Sequence, residues 1–108
     1  MTDSLTNSEL FVMSAVLHLD NNAYGVPIVQ ELERNRYAMS VATVYVVLGR
    51  LEQRGLVAST MGDATPERGG RAKRYFRVTA KGVREVRGVQ RTLLQLWRGV
   101  PRLEGGTT

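Results

Sequence analysis

The 108-residue chain has no cysteine, which excludes disulfide stapling, thiolate nucleophiles and every zinc site built on sulfur. Histidine is almost as scarce. His18 stands alone, so one chain can assemble neither a two-histidine metal site nor a triad with a second histidine to spare. With no partner at ligand spacing, His18 is expected to pack at a surface or an interface. Long apolar runs are missing too: none approaches the roughly 18 residues a membrane span needs. The start, Met1 to Ser8, lacks the basic and then apolar order of a secretory signal. These absences point to a soluble, cytoplasmic chain with no cofactor, no metal and no membrane role. Clustered carboxylates for a metal-dependent nuclease are also lacking. Glu31 and Glu33 fall on different sides of a helix, and Asp63 and Glu67 lie in a glycine-rich loop, so the chain is not expected to be an enzyme.

Acid is absent from one region in particular. Residues 1–49 hold two basic side chains, Arg34 and Arg36, against five acidic ones, a net of −3; residues 50–108 hold thirteen against five, a net of +8. From Arg68 to Arg102 eleven cations meet a single acid, Glu85. A field concentrated in this way favours a polyanionic partner, double-stranded DNA before others. The apolar share of 43% and charged share of 23% fit one folded domain with one core.

The chain opens with Thr6 and Glu9 at capping-box spacing, followed by an apolar run from Leu10 to Leu19 that predicts a first helix. Its apolar positions, Phe11 among them, go nearly all the way round, which suggests cover from more than one side. A turn at Asp20–Asn22 leads to a second helix, with Pro27 in its first turn, running to about Glu33. Asn35 is expected to end it in a left-handed conformation. Ser40 is the predicted N-cap of a third helix over Val41 to about Arg54, stopped by Gly55. There Val44, Leu48 and Leu51 recur at helical spacing and face inward, leaving Ala42, Thr43, Val46, Arg50 and Gln53 outside. Two short extended runs, Val57–Met61 and Lys73–Val78, flank a loop with three glycines and a proline and predict a hairpin. On the second run Phe76 and Val78 fall on one side and Lys73, Tyr75 and Arg77 on a positive other side. Thr79 caps a last helix, Ala80 to about Arg98, with an apolar stripe of Val83, Val86, Val89, Leu93, Leu96 and Trp97. Gly99 and Pro101 terminate it.

Three helices, a basic hairpin and a final helix give a mostly α chain with a small β-hairpin, in the order of a winged helix-turn-helix. In that fold the third helix enters the major groove and the hairpin lies along the backbone. The division expected is a DNA-binding domain over 1–78, a C-terminal dimerisation helix over 79–98 and a flexible tail over 99–108.

Several stretches resemble the PadR-type transcriptional regulators, over about residues 9–85. They are Ala23-Tyr24-Gly25-Val26-Pro27-Ile28, then Ala42-Thr43-Val44-Tyr45 with Leu48, Arg50-Leu51-Glu52 and Arg54-Gly55-Leu56-Val57. The hairpin adds Thr65-Pro66-Glu67-Arg68-Gly69-Gly70-Arg71-Ala72-Lys73-Arg74-Tyr75-Phe76, with Val78-Thr79 and Gly82 after it. The chain departs from the family at Val46, Val47 and Gly49, where polar or bulkier residues are more usual. The resemblance implies a homodimeric regulator, usually a repressor, of the short branch without a separate C-terminal domain. Its last helix would pack across the partner subunit.

On this reading the expected DNA contacts are Ser40, Ala42, Thr43, Tyr45, Arg50, Arg68, Arg71, Lys73 and Arg74. Ser40 is first a helix cap, with a hydroxyl and an amide that a phosphate can also use. Ala42 and Thr43 occupy the end of the helix that reaches base edges. Tyr45 resembles a family position aimed at the DNA backbone, with packing at the foot of the hairpin as the alternative. For Arg50 a phosphate is favoured over a local carboxylate. The hairpin cations are phosphate contacts, and the glycines between them let the backbone approach. The expected dimer face is Phe11, Val83, Val86, Val89, Leu93, Leu96 and Trp97. Trp97 is either a buried anchor or, as in drug-responsive members of the family, a wall for a small hydrophobic or aromatic effector. The competing function is a winged-helix module for nonspecific nucleic-acid binding or protein contact.

Overall fold

The computed structural model describes residues 4–62 and 72–101. Helix α1 spans Asn7–Leu19, a single 3-10 turn follows at Asp20–Asn22, and α2 spans Gly25–Arg34. Helix α3 is Val41–Gln53, strands β1 and β2 are Val57–Met61 and Arg74–Val78, and α4 is Ala80–Trp97. The strands pair antiparallel, with Val57 opposite Val78 and Met61 opposite Arg74. The arrangement is a winged helix-turn-helix, as the order of elements predicts.

The helix starts are built locally. Thr6 accepts from the Glu9 amide at 3.1 Å while the Glu9 carboxylate accepts from the Thr6 amide at 2.9 Å, a complete capping box. Ser40 caps α3 by accepting from the Thr43 amide, and Thr79 caps α4 by accepting from that of Gly82. Both inner helices end in the same hydrogen-bonded turn. After α3, the Leu56 amide donates to the Leu51 carbonyl and that of Gly55 to Glu52, with Gly55 at φ +75°. After α2, Tyr37 donates to Leu32 and Arg36 to Glu33. This is the Schellman pattern, whose residue after the cap must be left-handed. The expected left-handed Asn35 is therefore corrected: Asn35 has φ −101° and Arg36 takes φ +65°. The Asn35 side chain instead donates to the Glu31 carbonyl at 2.8 Å, which holds it at the cap itself.

The core lies between α1, α2, α3 and the hairpin, with Val12, Met13, Val16, Ile28, Val44, Leu48, Leu51, Leu56 and Phe76 all buried. Val47 joins the expected inward row of α3. Helix α1 is covered by α2, α3, β2 and α4 of its own chain, which leaves Phe11 and Leu17 exposed. Helix α4 sits on the turn that ends α3. Thr79 donates from its amide to Leu56 and from its hydroxyl to Gly55, and Lys81 donates to the Arg54 carbonyl. Gly82 permits this approach, because a Cβ there would lie 2.6 Å from Val78 Cγ1 and on top of the Leu56 carbonyl oxygen. From Arg91 to Pro101 every residue is exposed.

Candidate nucleic-acid interface

The exposed side of α3 carries Ala42, Thr43, Val46, Gly49, Arg50 and Gln53. At its start the Ser40 hydroxyl accepts from the Thr43 amide and donates to Thr43 Oγ1 at 2.9 Å. That bond occupies an acceptor site of the threonine, so its own proton and its methyl remain free to meet a base edge. Ser40 thus acts through Thr43, and its hydroxyl is already engaged.

Tyr45 leans from α3 onto the hairpin, its ring 6.1 Å from that of Phe76, and is 41% exposed. Its hydroxyl reaches over Gly25, where a Cβ would stand only 2.8 Å from it. Tyr45 therefore packs at the foot of the hairpin, with its hydroxyl against Gly25, while the residue stays partly exposed. Gly25 is the first residue of α2, and its N-cap Tyr24 makes no side-chain cap hydrogen bond. At the start of α2 the amides without a helical acceptor are those of Gly25, buried beneath Tyr45, and Val26, which is exposed; Pro27 has no N–H and the Ile28 amide donates to the Tyr24 carbonyl. Lys73 donates to the Tyr24 hydroxyl at 3.2 Å, with its ammonium 4.2 Å from the centre of the Tyr24 ring. Tyr75 meets Tyr24 edge-on at 5.4 Å. On the side of β2 expected to carry Lys73, Tyr75 and Arg77, the tyrosine packs on Tyr24. The Phe76 amide donates to the Ala23 carbonyl at 2.8 Å and fixes the strand against the start of α2. The exposed Val26 amide and the Lys73 ammonium at the Tyr24 hydroxyl are groups of the kind that hold a phosphate.

Two expected phosphate contacts are otherwise engaged. Arg50 points back to α1, its Nε 3.7 Å from Glu9, and Arg54 donates to the same carboxylate at 3.2 Å. Glu9 is buried, and a buried carboxylate is stabilised by such cations, of which Arg54 is the nearer. Arg74 donates to Glu52 at 3.1 Å and to Ser59 at 3.0 Å, and Ser59 donates to Glu52 at 2.8 Å. This closed triangle ties β2 and β1 to α3. Arg68 and Arg71 lie outside the described residues. Sequence reasoning did not single out Tyr24 and Gly25 as site residues, because their contacts with Lys73 and Tyr45 join residues far apart in the chain.

On the opposite flank Phe11 stacks edge-on against Tyr37 at 4.7 Å. Val83, Val86 and Val89 are half-buried, and Leu93, Leu96 and Trp97 are exposed, Leu96 by 70%. The stripe thus leaves the body of the chain as an uncovered apolar ridge. Among the described residues no cluster of three metal-ligating side chains occurs, and no described helix is long and apolar enough to cross a membrane.

Residues 15–88 match the family described as the transcriptional regulator PadR-like family. The chain is 37% identical over 87 residues to Transcriptional regulator Rv3488 of Mycobacterium tuberculosis, an alignment covering 79% of this chain and 78% of that protein. A solved PadR family transcriptional regulator from Eggerthella lenta superposes with a TM-score of 0.67 at 28% identity, over 84% of this chain and 77% of its own. A PadR-like transcription factor from Bacteroides fragilis gives 0.71 at 26% identity, over 85% and 84%.

Proposed function

Since the chain belongs to the PadR-like family of transcriptional regulators, we propose that it represses transcription in the cytoplasm as a homodimer bound to a near-palindromic operator. It is a regulator and not an enzyme. Two copies of α3 lie about one DNA turn apart and present Ala42 and Thr43 to base edges. The observation that carries the reading is that Tyr45 of α3 lies over Gly25 and Lys73 of the hairpin donates to Tyr24, so that both elements meet the start of α2, where Tyr24 makes no side-chain cap. It supports a phosphate clamp that sets the depth of α3 in the groove. Ser40 positions Thr43. Arg68 and Arg71 add contacts from the hairpin tip, and Arg50 and Arg74 exchange their carboxylates for phosphates on binding.

The apolar ridge of α4, with Phe11, supports pairing of the subunits. A flat aromatic effector would lodge against Trp97 between them, and saturable, stoichiometric quenching of its fluorescence by such a compound tests this. The decisive experiment compares binding to the DNA upstream of the protein's own gene with binding to scrambled DNA of equal length and salt. A preference of about a thousandfold is expected of an operator-specific repressor. Equal, salt-sensitive binding to both would favour nonspecific coating instead.

A further inference from the structure

Helix α4 has a second face. Opposite the side on which Gly82 and Val86 meet the body, Arg84, Arg87 and Arg91 project within an arc of roughly 60°, and Arg98 at the helix cap continues the line. All four are exposed. Among the described residues none of the four has an ion-pair or side-chain hydrogen-bond partner. An outward helix face that only keeps an amphipathic helix in water normally mixes both signs, because acids and bases three or four residues apart attract. Here Arg84 and Arg87, and Arg87 and Arg91, are like charges at those spacings, which destabilises the helix. The sole acid of the helix, Glu85, points to another side. The repulsion finds no relief among the described residues, and a polyanion would supply it. The residues are arginines, whose planar guanidinium matches phosphate oxygens in pairs. The line runs for about 20 Å at 1.5 Å per residue, long enough to follow several phosphates. Arg84 borders the groove lined by Leu93 and Leu96, while Arg87, Arg91 and Arg98 lie away from Leu93 around the helix and stay open when the ridge is covered.

We propose that Arg84, Arg87, Arg91 and Arg98 form a second, sequence-independent contact surface for duplex DNA, beyond the segment held by α3 and the hairpin. The proposal rests on the regulator reading only in taking DNA as the polyanion.

The test uses the full chain and its Arg84→Gln/Arg87→Gln/Arg91→Gln/Arg98→Gln variant. Glutamine keeps helix propensity and removes the repulsion, so the variant is expected to keep its circular dichroism. Binding is measured on random duplexes of about 20 bp and about 60 bp, the shorter close to one dimer footprint. On the long duplex the variant should bind about tenfold more weakly at low salt. Its log–log salt slope should be shallower by about 2 to 4, near 0.9 for each lost phosphate contact. On the short duplex the two proteins should bind alike. The four-lysine variant, which keeps the charge, should recover most of the slope. Equal affinity and slope on the long duplex would overturn the proposal, as would loss of binding to an acidic polypeptide in place of DNA. A Tyr45→Phe/Lys73→Ala variant separates the two readings. If it binds the short duplex like the unaltered protein, the α3 clamp fails while the stripe stands on its own long-duplex result.

Discussion

Gly82→Ala and Gly88→Ala put the same methyl group into the same helix, α4, and only one of them has room. At Gly88 nothing lies within 4 Å of an added Cβ. At Gly82 the methyl would strike the Leu56 carbonyl and come within 2.6 Å of Val78 Cγ1. Alanine is favoured over glycine in a helix by about 0.8–1 kcal/mol, and this gain is common to both variants. What differs is steric. The struck carbonyl accepts from the Thr79 amide at 3.0 Å, and the Thr79 hydroxyl donates to Gly55 at 2.7 Å. The helix can retreat only by stretching both bonds, at about 1 kcal/mol each, on top of about 1–3 kcal/mol of overpacking. Gly82→Ala should therefore destabilise by about 2–4 kcal/mol net and Gly88→Ala should stabilise by about 0.5–1 kcal/mol. Urea denaturation followed by circular dichroism, at one protein concentration for all three proteins, measures both. Coincident midpoints for the two variants would refute the claim that Gly82 is there for the close approach of α4 to the turn after α3.

Four further outcomes are expected. Arg36→Gly should stabilise by about 0.5–1 kcal/mol, because a side chain held at φ +65° is strained where glycine is not; a lower melting temperature would show that Arg36 has another task. Lys73→Ala should weaken binding to all DNA sequences alike and flatten the salt slope by about one unit, read from fluorescence anisotropy at several salt concentrations. Glu52→Gln should do the reverse on random duplex, steepening the slope by about one unit as Arg74 is released to a phosphate, with a stability loss below about 1 kcal/mol because the pair is partly exposed. The Arg34 guanidinium, bonded to Glu31, holds that carboxyl below its ordinary value of 4.5, helped by His18 and Asn35. A depressed folded value stabilises above pH 4.5 and is lost as pH falls through the folded value, so Arg34→Gln should move the Glu31 titration seen by NMR upward and flatten this acid dependence.

Much of the fold is legible because its signals are local. Thr6 with Glu9, Ser40, Gly55 and Thr79 each act within a few residues of where they stand, and Val44, Leu48 and Leu51 need only helical periodicity to be placed inward. The left-handed position after α2 is one residue off because, with no glycine there, asparagine is the residue that most readily takes such a conformation, and the sequence does not show that its amide is engaged by Glu31. The site is less legible because its partners are far apart in the chain. Glu9 meets Arg54 across 45 positions and Lys73 meets Tyr24 across 49, and no spacing rule pairs residues at that distance. Arg50 and Arg74 read as free cations for the same reason: a count of charges registers how many there are and not which carboxylate each one faces.

The last turns of α4 have a consequence for dosage. A helix exposed on every side from Arg91 onward lacks the tertiary packing from which most helices in proteins draw their stability, so its order depends on meeting another molecule. If that molecule is a second copy, the fraction of chains with a complete helix rises with concentration by mass action. On the proposed reading of a dimeric repressor, the chain would be titrated by its own abundance, and while dissociated chains predominate occupancy of the operator would grow with nearly the square of the amount made. A promoter that it controls would therefore switch more sharply than a monomeric repressor allows, with no effector involved.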